Sequence, residues 1–395
     1  MTTTRARALV AVSLVGAAAC LGEGCFFSLE PLVTTGDGGA APSGSGGADG
    51  AVPERTPITI DAAMLTQSLT DVPVLVTLDP SRVDYSLAGV DGANLRVYAE
   101  DGTTQLAHEV ERWMDGGESQ VWVRLPLVSA GSVVTIYAEV GVPQPDLPPD
   151  PSDVWVAYES VFHFADQLPT ATVKDSTQAH PATPVGMDAS HMTEARIGPG
   201  FLFTGGASPT TDPHLDLSDP PELQLTPSDQ LTVEVWFERS SPTGELGYLF
   251  SMEACCVGWG ATFLSTPLQF RSLVGVNDCC GAMPPPANYA YAQFTMPSDS
   301  DAAWHHSVTV IDRSGGVIRS YLDGVEAAQT AIPASIYDTS GSLNIGSNFA
   351  GEDGFDGTLD ELRIARTAVP AAWVSFVYET TLGTGVTYGT PEPLP

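Results

Sequence analysis

The sequence predicts an all-β chain of two antiparallel β-sandwich domains, and three observations carry that reading. Glycine and proline are both frequent, 39 and 32 in 395 residues, which suits many short strands joined by turns better than long helices. Runs rich in Val, Ile, Tyr and Trp recur along the chain, split by Asp-Gly and other Gly-containing turns. The apolar fraction, 43%, is ample for real cores. The charge is lopsided: 15 basic residues against 48 acidic ones give a net −33. Nucleic acid is therefore excluded as a partner, because its phosphates need a basic face. The same acidity supplies oxygen ligands for hard cations such as Ca²⁺.

The chain opens MTTTRARALVAVSLVGAAAC. Arg5 and Arg7 precede an apolar run over residues 8–19, too short for a bilayer span of roughly 20 residues. This predicts an export signal over residues 1–19 rather than a transmembrane helix. The small residues directly before Cys20 resemble the bacterial lipoprotein cleavage box, which implies that Cys20 becomes the lipidated first residue of the mature chain. Ordinary small-residue cleavage is the alternative. Residues 20–54, rich in Gly, Ala and Ser from 34 onward, cannot bury a core and read as a flexible tether.

Residues 55–142 form the first folded module. PITID, VPVLVTL, NLRVYA, LAHEVERW, SQVWVRLPL and SVVTIYAEV read as strands, and nothing among them reads as a long helix. In VWVRL, Val121, Val123 and Leu125 alternate with Trp122 and Arg124, the period of a strand with two different faces. His108 is the module's only histidine. Glu109, Glu111 and Arg112 beside it read as a solvated strand face. The succession of Arg55-Thr56-Pro57-Ile58-Thr59-Ile60, a D-x-P-V-L-V strand over 71–76 and a V-W-V-x-L-P strand over 121–126 resembles an uncharacterised bacterial surface-protein module. That resemblance implies no catalytic activity. A Pro-rich linker, 143–153, follows.

Residues 154–390 form the second module. YESVFHFADQ, GPGFLFTGG, LTVEVWFE, WHHSVTVID with its SYLDGVEA hairpin, and GFDGTLDELRIAR occur in that order. Their succession resembles the laminin-G-like, concanavalin A-like jelly roll, which implies two antiparallel sheets of about six or seven strands each. The DG hairpin over 321–327 supports this independently. In PAAWVSFVYE, Trp373, Phe376 and Val377 share one helical face, so a short helix packs on the sandwich.

Several residues are candidates for chemistry. Glu234 and Glu238 share a strand face, and jelly-roll glycan hydrolases use a similar pair. A four-residue strand step is ~13 Å, whereas retaining glycosidases need carboxyls about 5–5.5 Å apart, so no catalytic residue is assigned. Trp236, Trp259, Tyr289 and Tyr291 could line a ligand surface, with ordinary core packing as the alternative for each. His305 and His306, adjacent on a strand, point to opposite faces and do not chelate one metal together. The vicinal pairs Cys255-Cys256 and Cys279-Cys280 suit disulfides in an exported protein. Antiparallel pairing would join Cys255 to Cys280 and Cys256 to Cys279; parallel order and vicinal bonds are the alternatives. The jelly-roll resemblance implies a structural Ca²⁺ held by Asp175 and Asp360. Asp360 and Glu361, as strand neighbours, are expected on opposite faces, with Glu361 pairing to Arg363. Together these readings predict an exported, lipid-anchored surface protein, held to the membrane through that anchor alone. It would bind a carbohydrate or extracellular protein ligand without catalysis. A glycan hydrolase and a purely structural envelope protein are the competing classes.

Overall fold

The computed structural model describes residues 52–141, 150–205, 212–226, 228–240, 247–254, 257–264, 267–275, 289–297, 303–333 and 341–394. In the first sandwich, the strand Glu54–Asp61 pairs antiparallel with Val133–Val140, placing Ile58 opposite Ile136. Arg96–Ala99 and Gln105–Leu106 extend that sheet. The facing sheet orders Leu69–Leu78, Ser119–Val128 and His108–Arg112. The alternation read from VWVRL holds. Val121 and Val123 pair with Val76 and Val74 and face the core with them, while Trp122 turns the other way.

The end of the chain returns to this first sandwich. Val386–Tyr388 and Glu392–Pro393 both pair with Glu54–Asp61. The Thr77 amide donates to the Tyr388 hydroxyl at 2.8 Å, and the Arg82 guanidinium lies 3.7 Å from that ring's centre. Both sandwiches belong to one unit, Gly50–Pro395.

The second sandwich packs an eight-stranded antiparallel sheet against a seven-stranded one, the two-sheet jelly roll expected from the sequence. Between them lies an aromatic core in which Phe201, Phe203 and Phe237 meet Phe250, Trp259, Phe263 and Phe270. The helix Ala371–Thr381 buries Trp373, Phe376 and Val377, as its spacing predicts. It packs on the outer face of the eight-stranded sheet together with the first sandwich. Val308, Val310, Tyr321 and Ala365 of that face join one apolar cluster with the helix and the first sandwich's valines.

Trp122 sits at the seam. It is fully buried, and its ring meets Trp155 edge-on at 5.6 Å. Truncating so large a buried side chain costs about 3–5 kcal/mol. Because the apolar cluster spans both sandwiches, Trp122→Ala should lower the urea midpoint of one shared unfolding transition. Two transitions in the wild-type chain would contradict a common core.

Candidate functional site

The outer face of the seven-stranded sheet carries the most ligand-like surface among the described residues. In Tyr289–Thr295, Ala290 and Ala292 are buried in the core, so Tyr289, Tyr291 and Gln293 take the opposite face. The two tyrosine rings stack at 5.5 Å. The neighbouring strand Gln269–Gly275 brings Arg271 opposite Gln293, and the guanidinium lies 4.2 Å from the centre of the Tyr291 ring. Arg271 Nε donates to Gln293 Oε1 at 2.8 Å, and Gln293 Nε2 donates to Gln269 Oε1 at 2.6 Å. Aromatic faces and planar polar groups are thereby fixed side by side on a rigid sheet.

Glu253 lies on the same face, 4% exposed, opposite Gly258. A Cβ on Gly258 would stand 2.5 Å from Glu253 Cα and 2.7 Å from its Cγ, so only glycine leaves room for this carboxylate. Burial pushes the Glu253 carboxyl up to about 7. Burial and then the Glu253 charge raise the Tyr248 and Tyr289 phenols. Arg271, Gln293 and Glu253 were not singled out from the sequence. Strict alternation in QFRSLVG and YAYAQFT is the signal that places Arg271 and Gln293 beside the tyrosines.

The other two aromatic candidates are not on a ligand face. Trp259 is wholly buried in the jelly-roll core, its indole N–H donating to the Leu223 carbonyl at 3.1 Å. Trp236 faces the other way, under the helix, between His306 at 4.9 Å and Tyr378 at 5.7 Å. Cys20, Cys255, Cys256, Cys279 and Cys280 lie outside the described residues.

Glu234 and Glu238 are not brought together as an acid pair. Glu234 is 2% exposed beneath the first sandwich, accepting from the Tyr158 hydroxyl at 3.0 Å, with His306 Nε2 3.8 Å away. Glu238 is only partly buried. Burial and the nearby Arg363 push the His306 imidazole down to about 3, so it is neutral. His305 instead pairs with Asp323 at 2.8 Å.

The expectation that Asp360 and Glu361 face opposite sides is corrected. Glu234 pairs with Arg363 but Trp236 with Asp360, so the strand Asp356–Ala365 holds an extra residue. Glu361 takes φ +53°, the left-handed backbone of a β-bulge. The bulge breaks the two-residue period and turns Asp360, Glu361 and Arg363 to one side, toward the first sandwich. There Glu361 does pair with Arg363, at 2.5 Å. The reading of Glu109 and Glu111 as a solvated face is also corrected. They face the jelly roll, with side chains 6% and 2% exposed.

His163, just after the strand Ser160–Phe162, is the centre of these acids. Nδ1 lies 2.6 Å from Glu361 and 2.9 Å from Glu111, and Nε2 lies 3.3 Å from Glu109. Burial disfavours the imidazolium, but Glu111, Glu361 and Glu109 outweigh it and hold His163 protonated. Burial pushes Glu111 up to about 7 against the pull of His163. Burial and the Glu361 charge raise Asp360 well above the usual range.

Asp175 does not fit a calcium shell shared with Asp360. The two Asp175 oxygens accept from the amides of Val161, Thr177 and His180 and from the Thr177 hydroxyl. Four donors fill its lone pairs and leave none for a cation. Asp360 gives one oxygen to the Ile197 amide at 2.7 Å, and its other oxygen is buried without a hydrogen-bond partner.

Residues 209–375 match the laminin-G-like family model described as the concanavalin A-like lectin/glucanases superfamily. No curated protein matches the chain. Among solved structures, domain 4 of AbnA, a GH43 extracellular arabinanase from Geobacillus stearothermophilus, in complex with arabinotriose, is 18% identical at TM-score 0.39. The match covers 56% of this chain and 98% of that one. The botulinum neurotoxin serotype G binding domain is 13% identical at TM-score 0.41, with 56% of this chain and 50% of that one covered. The match thus spans about half of the neurotoxin chain.

The raised Glu253 carboxyl gives a signed pH dependence. Its folded value of about 7 lies above the ordinary 4.5. The native state therefore holds the extra proton, and stability present below pH 4.5 is lost as pH rises toward and through 7. The ceiling is about 3 kcal/mol at ~1.4 kcal/mol per pH unit. Glu253→Gln should flatten the fall in melting temperature between pH 5 and 8 relative to wild type. Parallel profiles would show that this carboxylate does not titrate there.

Proposed function

We propose that this is an exported, lipid-anchored surface protein that binds a carbohydrate ligand without catalysis, on the outer face of its seven-stranded sheet. The observation that carries the reading is the tyrosine pair with its polar frame. Tyr289 and Tyr291 stack, Arg271 lies over Tyr291, and Gln293 and Gln269 complete a hydrogen-bonded row. Aromatic faces take up the apolar faces of sugar rings, while planar guanidinium and amide groups satisfy hydroxyls and fix orientation. The match to a superfamily of lectins and glucanases is consistent with a glycan as ligand.

The non-catalytic half of the reading rests on Glu234. Its carboxylate is buried beneath the first sandwich against Tyr158. A nucleophile there could reach no substrate, and Glu238 stands two repeats of the pleat, ~13 Å, farther along the strand. Export is supported by the residue pattern of the first 19 residues, and anchoring by Cys20 after three alanines. No helix among the described residues is long and apolar enough to cross a membrane; in this reading acyl chains on Cys20 make the attachment.

Two experiments test this. On an array of neutral and acidic oligosaccharides, the wild-type chain should select a glycan that Tyr291→Ala binds at least about tenfold more weakly, a loss of ~1.4 kcal/mol, at unchanged melting temperature. Equal binding by the variant, or no glycan retained by the wild type, would remove the ligand face. In cells, Cys20→Ala should move the protein from the membrane fraction to the soluble one.

A further inference from the structure

The junction of the two sandwiches brings together three ligand groups from three distant parts of the sequence. Glu111 comes from the first sandwich, His163 from the start of the jelly roll and Glu361 from its bulged late strand. One ligand atom of each lies within 4.8 Å of the other two. We propose that Glu111, His163 and Glu361 form a binding site for a divalent transition metal ion of the zinc type, which clamps the first sandwich to the jelly roll.

Four features of the site support this. The first is the donor set. One imidazole nitrogen and two carboxylate oxygens suit Zn²⁺, with metal–ligand distances of about 2.0–2.2 Å; Ca²⁺ takes oxygen ligands instead. Nδ1 already stands 2.9 Å from Glu111 Oε2 and 2.6 Å from Glu361 Oε1, so small side-chain adjustments admit an ion between them. The proton now shared along Nδ1 leaves when the metal takes its place.

The second is the support around the ligands. Metal-bound histidines donate their other ring N–H to a carboxylate, which fixes the ring and the tautomer. Here Nε2 of His163 faces Glu109 at 3.3 Å. Glu109 is itself held by the indole N–H of Trp155 at 2.6 Å, by Lys174 at 2.9 Å and by the Ser176 hydroxyl at 2.9 Å. The second oxygen of Glu361 accepts from Arg363. His163 and Glu361 thus each have one atom facing the site and the other tied behind it.

The third is unmet demand. Glu111 Oε1 and Asp360 Oδ1 are buried oxygens with no hydrogen-bond partner. The Glu111 side chain is 2% exposed and Asp360 is wholly buried. Leaving such oxygens unpaired is costly, and more so when they are charged. Once the metal displaces the His163 proton, the carboxylates of Glu109, Glu111, Asp360 and Glu361 outnumber the cations Lys174 and Arg363, and a divalent ion would balance them. The fourth is access. A cavity of about 200 Å³, lined by Glu109, Glu111, His163, Asp166, Lys174 and Ser176, opens onto two of the three ligands, Glu111 and His163. It leaves room for water to complete a tetrahedral shell.

The test uses the full mature chain, stripped with a chelator and with its thiols blocked, titrated with zinc chloride and separately with cobalt chloride. One Zn²⁺ should bind per chain and raise the melting temperature. Cobalt should give the visible spectrum of a tetrahedral N/O site without a thiolate charge-transfer band. Glu111→Gln keeps the side chain's shape and removes a ligand charge. It should melt no lower than the metal-free wild type yet lose zinc affinity more than 100-fold. Glu109→Gln, acting through the ring, should lose about 10–100-fold. Absence of stoichiometric zinc, full affinity in Glu111→Gln, or equal stabilisation by calcium chloride would each overturn the proposal.

Discussion

The buried Arg363 guanidinium is the group on which the junction depends. It is 2% exposed, tied to Glu361, and lies 4.1 Å from the centre of the Trp122 ring and 4.9 Å from that of Trp155. Taking such a charge out of water costs several kcal/mol unless its partner and its hydrogen bonds are in place. Its partner comes from its own strand and its aromatic lid from Trp122 of the first sandwich and Trp155 at the seam. Separating the two sandwiches would strip the lid and rehydrate an ion pair built for a dry site. The shared apolar cluster and the return of Val386–Tyr388 to the first sandwich act in the same direction. The first sandwich is therefore part of the jelly roll's outer wall rather than a passenger on a linker.

Much of this fold was legible in the sequence because strands with two unlike faces announce themselves. Val121, Val123 and Leu125 against Trp122 and Arg124 gave the correct inward face. Trp373, Phe376 and Val377 gave the buried side of the one helix. The same alternation failed where the partner of a face came from elsewhere in the chain. Glu109 and Glu111 alternate with Val110 as a solvated strand should, and only the jelly roll packed against them makes that face an interior. Local pattern reports that a face is polar. It does not report whether water or another polar face lies opposite.

Glu361 is a second kind of failure, and it is a backbone one. A residue at φ +53° carries a conformational cost of about 1–3 kcal/mol unless it is glycine. No composition signal marks it, because the motif around it reads as a plain strand. The bulge aims two consecutive carboxylates and an arginine at one spot, which a regular strand cannot do. A strained position held by a buried ion pair and a histidine is the kind of place where strain is kept for a purpose. The candidate ligand face shows the opposite case. There Tyr289 and Tyr291 were visible as aromatics on an alternating strand, but Glu253 depends on the missing Cβ of Gly258 across the ladder.

The two sheets of the jelly roll thus divide their outer faces. The eight-stranded sheet turns its charged and aromatic outer residues, Glu234, Trp236, His306 and Arg363, to the first sandwich and the helix, where they are dry and fixed. The seven-stranded sheet keeps Arg271, Tyr291 and Gln293 only half-buried. A glycan hydrolase on this fold would need its acids on an open face with room for a sugar between them. Glu234 of this chain lies buried on the closed one. On the seven-stranded sheet Tyr289 and Tyr291 stack, the Arg271 guanidinium lies over Tyr291, and the Gln293 and Gln269 amides alongside stay partly open to solvent. The first sandwich closes one outer face of the jelly roll and gathers its buried charges at the junction, while the planar polar and aromatic groups of the other face stay half-buried.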